Sequence, residues 1–149
     1  MKLTITMTYY AKAVVLVLAA SATMLAVACT DPSRSLSTDD RLFICRAAIA
    51  TVMGRPVGSV SGYEVGTKTV RTSYLRPDDG TVWRNICRIA GARVFWASIR
   101  DDGSTGRWRD NYLDSVITFQ LNNGSVTIKE SHGDGSSTIR SYSGDTKHH

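Results

Sequence analysis

Residues 115–131 read SVITFQLNNGSVTIKES, and this stretch decides the fold. Ile117, Phe119 and Leu121 alternate with Thr118 and Gln120, the two-residue period of a half-buried strand. Asn122, Asn123 and Gly124 are residue types that tolerate the left-handed backbone of a tight hairpin turn. Val126 and Ile128 continue the inward set on the far side, so the stretch is an antiparallel hairpin with one apolar face.

Outward from this hairpin the same grammar repeats. Turn signals fall at Asp78-Asp79-Gly80, Ala90-Gly91, Asp101 to Gly106 and Gly133-Asp134-Gly135. Between them lie runs rich in Val, Ile, Thr and aromatic residues, which predict strands near 67–76, 81–89, 92–100, 115–121, 124–131 and 136–142. In the second of these, Trp83, Cys87 and Ile89 share a face, so Cys87 is expected to point towards the core.

Ahead of the strands the period changes to 3.6. Thr38 is a candidate N-cap, Asp39 and Asp40 suit the positive end of a helix dipole, and Leu42, Cys45, Ile49, Val52 and Met53 fall on one stripe. Gly54-Arg55-Pro56 is a stop, so residues 39–53 predict one amphipathic helix. The expected fold is α+β: this helix packed on an antiparallel meander of five or six strands, over a domain of residues 39–142. Strands of this number and length suit either an open sheet or a small curled barrel. Residues 143–149, SGDTKHH, are small and polar and are expected to fray.

The N-terminal part has a different logic. Residues 1–12 carry Lys2 and Lys12 without an acid, and residues 13–28, AVVLVLAASATMLAVA, carry no charge. That is the pattern of an export signal over residues 1–28; its apolar run is short for a membrane span, which wants about 20 residues. Leu25-Ala26-Val27-Ala28-Cys29 resembles the lipobox of bacterial lipoproteins, in which a small residue precedes a cysteine that is acylated on sulfur before cleavage. The resemblance implies that Cys29 is the lipidation site, that residues 29–38 are a polar tether, and that the domain faces the periplasm. Thr30 rather than Asp directly after the cysteine points, by the same resemblance, to the outer membrane. Ala26-Val27-Ala28 also fits ordinary signal peptidase, which would release a soluble periplasmic protein.

The chain has three cysteines. With Cys29 acylated, Cys45 and Cys87 are left as an even pair in a compartment that permits disulfides, and they are expected to bond. The bridge would staple helix to sheet.

Charge and motifs exclude more than they assign. The formal charge of +5 falls to +3 for residues 29–149, because Lys2 and Lys12 leave without an accompanying acid. That balance lacks the basic stripe that nucleic-acid binding requires, so no nucleic-acid partner is expected. The 13 arginines outnumber the 3 lysines in this portion, and arginines stand close to the tryptophans: Arg84 beside Trp83, Arg93 near Trp96, Arg107 and Arg109 around Trp108. Such neighbours commonly stack for packing and solubility.

The internal histidine, His132, falls at a turn, and the paired carboxylates Asp39-Asp40, Asp78-Asp79 and Asp101-Asp102 fall where a helix or turn begins. Residues 101–110, DDGSTGRWRD, place two arginines where a calcium loop needs oxygen ligands. No catalytic residue, metal site or cofactor is therefore expected.

These readings describe a noncatalytic, membrane-anchored envelope module that binds a protein or cell-wall component. Its contact surface is expected on the loop after residue 100, at Arg107, Trp108, Arg109 and Tyr112, residue types enriched at binding hot spots. Two alternatives stay open: an enzyme acting on envelope polymers through Asp101, Asp110 and Asp114, and a periplasmic enzyme inhibitor. The latter is similar in architecture to the small lipoproteins that inhibit lysozyme.

Overall fold

The computed structural model describes residues 35–144, so the leader, Cys29 and the expected tail beyond Gly144 lie outside the described residues. Helix α1 spans Thr38–Val52 and opens one residue before the expected range, because Ser37 and not Thr38 is the N-cap. The Ser37 hydroxyl oxygen accepts from the Asp40 amide at 3.1 Å, and the Asp40 carboxylate accepts from the Ser37 amide at 3.2 Å. This reciprocal box satisfies two of the amides that a helix start leaves unpaired. At the other end Gly54, with φ of 62°, turns the chain out of the helix as its position predicts.

After a 3₁₀ turn at Val57–Ser59 come seven strands: β1 Ser61–Val65, β2 Thr69–Leu75, β3 Val82–Ala90, β4 Arg93–Ile99, β5 Val116–Asn122, β6 Ser125–Ser131 and β7 Ser137–Ser143. They pair antiparallel in strict chain order as one sheet. This corrects the expected fold class in its proportions and its count. The molecule is a mostly antiparallel, seven-stranded half-barrel carrying one short helix, not a five- or six-stranded α+β layer. It is not a closed barrel, since β1 and β7 stand at opposite edges.

The six expected strands correspond to β2–β7, and the extra strand is β1, ahead of the run expected at 67–76. Gly66, at φ of 60°, and Lys68, at 64°, make a turn there, and residues 61–65 fold back as β1. The Asn-Gly hairpin forms as read, with Asn123 and Gly124 both at positive φ (41° and 80°) between β5 and β6.

Helix α1 lies on one face of the sheet. Ile44, Cys45, Ala47 and Ala48 meet Val70, Cys87, Val94, Ile117, Val126 and Ile128 in one core. A second cluster joins Ile49 and Ala50 to Val60 and Tyr74 near the helix end. Cys45 and Cys87 are bonded, with Cα atoms 6.0 Å apart, so a covalent bridge crosses from helix to central strand as expected.

Polar contacts fix the helix at both ends. The Glu64 carboxylate of β1 accepts from the Thr38 hydroxyl at 2.9 Å and from Arg41 Nε at 2.7 Å, and these hydrogen bonds hold Glu64 below the usual carboxylate range. Thr51 and the Tyr142 hydroxyl of β7 lie 3.0 Å apart. Beneath the helix, Thr72 and Asn85 face each other across β2 and β3, and their side-chain polar atoms have no partner among the described residues. Burying such groups costs on the order of 1–3 kcal/mol each, a local expense in an otherwise apolar interface.

Candidate functional site

The expected contact loop, residues 100–114, is fastened along the free half of β4. Strand β5 pairs with β4 only at Arg93–Thr118 and Val94–Ile117, which leaves the remainder of β4 open to another partner. The loop takes that place: Ile99 and Thr105 form an antiparallel bridge, the Gly106 amide donates to the Ser98 carbonyl at 2.7 Å, and the Arg109 amide donates to the Trp96 carbonyl at 2.8 Å. Gly106 is required by this close approach, because a Cβ there would sit 3.0 Å from the Ser98 carbonyl oxygen.

Beyond Arg109 the loop is braced by ions. Arg107 donates through both terminal nitrogens to the Asp114 carboxylate, each at 2.7 Å, while the Asn111 amide donates to the same carboxylate at 3.0 Å. This fork geometry is the strong form of an arginine–carboxylate pair. The Arg107 hydrogen bonds hold Asp114 down to about 2, so the group is a carboxylate throughout the neutral range. The Asn111 side chain accepts from the Leu113 amide at 3.2 Å, and the Asp114 amide returns to the Asn111 carbonyl at 3.0 Å. The result is a tight turn that projects two side chains outward: Tyr112 is 89% exposed and Leu113 77% exposed.

The four residues expected at the contact surface therefore divide. Tyr112 is fully presented. Trp108 is half-buried, its ring stacked under the Arg88 guanidinium at 4.9 Å, and Arg88 is itself held by Asp110 at 3.0 Å. Arg107 and Arg109 both approach Asp114, and Arg109 also lies over the Trp96 ring at 5.4 Å. Three of the four thus build the loop, and the fourth is displayed by it. Leu113 was not singled out in the sequence, and Asp114 was named there only as a carboxylate of the enzyme alternative, not as the partner of Arg107. A seven-residue separation between Arg107 and Asp114 carries no local signal.

Three turn aspartates, two of them from the carboxylate pairs considered for chemistry, have local duties. Asp79-Gly80-Thr81, Asp102-Gly103-Ser104 and Asp134-Gly135-Ser136 are the same turn three times over. In each the aspartate accepts from the amide two residues on, at 3.0, 2.8 and 2.9 Å, and the intervening glycine has positive φ. Hydrogen bonds from Thr81, Ser104 and Ser136 keep all three acids below their ordinary range. His132 sits at the start of the last of these turns, where its amide donates to the Ser136 carbonyl.

No group of three or more potential metal-ligating side chains comes together among the described residues. An open groove of about 410 Å³ lies beside the helix start, lined by Asp39, Asp40, Phe43, Arg46 and Gly144, away from the contact loop. No helix among the described residues is long and apolar enough to cross a membrane. Comparison with protein-family models, with curated proteins and with solved structures finds no match for this chain.

Proposed function

We propose that the chain is a noncatalytic envelope lipoprotein, held at a membrane by an acylated Cys29 and facing the periplasm, with the outer membrane favoured. The turn at 111–114 binds a protein or cell-wall component. The observation that carries this reading is the braced display of Tyr112 and Leu113. A folded domain normally covers large apolar side chains, and fully burying one is worth roughly 1.5–3 kcal/mol. Here the adjacent ion pair fixes the backbone beneath two of them in water. Preorganisation of that kind lowers the ordering cost of association, and aromatic residues supply a large share of interface hot spots.

A photoreactive side chain placed at Tyr112 in cells is expected to yield a discrete adduct, while one at Asn123, in the β5–β6 turn, yields none. Leu113→Ser is expected to reduce the Tyr112 adduct by about 30-fold, the effect of losing a hot spot worth about 2 kcal/mol. Identical adduct patterns from positions 112 and 123 would remove the loop as the contact surface.

A further inference from the structure

The two faces of the sheet divide their charges unequally. Glu64 and Glu130, the carboxylates borne by strands, both lie on the face that α1 covers, opposite Val70 and Ile117 respectively. The outer face carries Arg71, Arg84, Arg88, Arg93 and Lys129, and no strand contributes an acid to it. Arg88 is matched by Asp110 from the loop; the other four make no ion pair among the described residues.

The cations alternate with apolar groups. Arg71 stands opposite Ile86, which Arg84 and Arg88 flank two residues to either side on the same face. Arg88 and Arg93 both lie over the Phe95 ring, 5.0 and 4.9 Å from its centre. Tyr63, 57% exposed, and Ile139, 62% exposed, extend the same face towards β1 and β7.

We propose that this outer face docks on the anionic phospholipid headgroups of the bilayer that holds the acyl chain. Strand spacing of about 4.8 Å and a two-residue repeat of about 7 Å spread the guanidinium groups across a sheet face instead of converging them. Such an array matches a plane of separate phosphates better than one chelated anion. Arginine stems and tyrosine rings also suit the boundary between headgroup and acyl chain. From Cys29 to Ser37 the chain reaches at most about 28 Å, at roughly 3.5 Å per residue, which exceeds the roughly 10 Å between a helix layer and its sheet. Proximity to the bilayer rests on the reading of Cys29 as an anchor; the charge segregation does not.

The test removes the lipid. The chain from Cys29 onwards, carrying Cys29→Ser, retains every core residue described above. It is mixed with vesicles of phosphatidylcholine alone or of phosphatidylcholine with phosphatidylglycerol, and the bound fraction is measured by sedimentation. Binding is expected only to the phosphatidylglycerol vesicles, and is expected to weaken as sodium chloride rises. Arg84→Ala with Arg93→Ala should lower the partition coefficient by about 25-fold, at about 5-fold per arginine, from the usual worth of a cation at an anionic surface. Arg140→Ala, on the helix side of β7, should leave it unchanged.

Equal partition onto both vesicles, no partition onto either, or indifference to the Arg84 and Arg93 changes would each overturn the proposal. So would release by inorganic phosphate at constant ionic strength, which would assign a discrete anion site instead. Charge-dependent binding by this lipid-free chain, found together with an unacylated Cys29 in cells, would keep the docking face and discard the anchor.

Discussion

Replacing Cys45 and Cys87 together by alanine is expected to lower the free energy of unfolding by about 4 kcal/mol. The bridge joins residues 42 apart in sequence, and the chain-entropy relation for a loop of that size gives this magnitude. Domains of this size have a total stability of only about 5–15 kcal/mol, so the change is a large share of the whole. Both cysteines are fully buried, and alanine leaves no polar atom behind in the helix–sheet core. The effect acts mainly through the unfolded chain. Urea unfolding should therefore show a steeper dependence on denaturant, because a chain freed of the cross-link exposes more surface when it unfolds. A loss below about 1 kcal/mol with unchanged slope would mean that the bridge constrains little.

Ile128→Ala is expected to destabilise by about 2–5 kcal/mol through the opposite route. Ile128 is fully buried on β6, opposite Phe119, and it packs in the cluster that α1 closes with Ile44, Ala47 and Ala48. Truncation removes transfer energy and leaves a cavity in a layer that has little room to collapse, since β6 is held between β5 and β7 along its full length. The slope of the denaturant dependence should stay that of the parent, because the unfolded state is nearly the same. The two variants share a magnitude and differ in slope. That contrast separates a covalent staple from packing as the source of helix attachment. A destabilisation under 1 kcal/mol for Ile128→Ala would show that the helix does not close this core.

Where the sequence was sufficient, local chemistry and global fold agree. The hairpin at 115–131 shows one period, one turn type and one apolar face, and it forms in the register its alternation implies. The stop at Gly54 and the inward direction of Cys87 likewise follow from neighbours a few residues away.

Where it was not, distant residues decided. Strand β1 carries Gly62 and is five residues long, so its own pattern is weak, and it is specified by pairing with β2 and by Glu64 meeting the helix start. The strand expected at 67–76 is β2, which begins only at Thr69, because Lys68 takes a left-handed backbone that its residue type does not announce. No strand was expected over residues 61–65, and that omission lowered the strand count.

The long loop after β4 was legible from its turn residues, but the roles of the residues within it were not. Trp108 finds its stacking partner in Arg88, twenty positions earlier, and Asp114 draws in both flanking arginines. The exposed pair that results, Tyr112 and Leu113, becomes evident only when the brace is seen. The cationic outer face was also hidden, because five basic residues on four strands do not cluster in sequence; antiparallel pairing brings them to one side.

The functional account depends on where the domain resides, and intact-mass spectrometry of the protein extracted from its own membranes tests this most directly. The account predicts a polypeptide that begins at Cys29, carries acyl chains, and is two hydrogens lighter than its reduced form owing to the Cys45–Cys87 bond. A polypeptide that retains Met1, with Cys29 unmodified and Cys45 and Cys87 reduced, would contradict it.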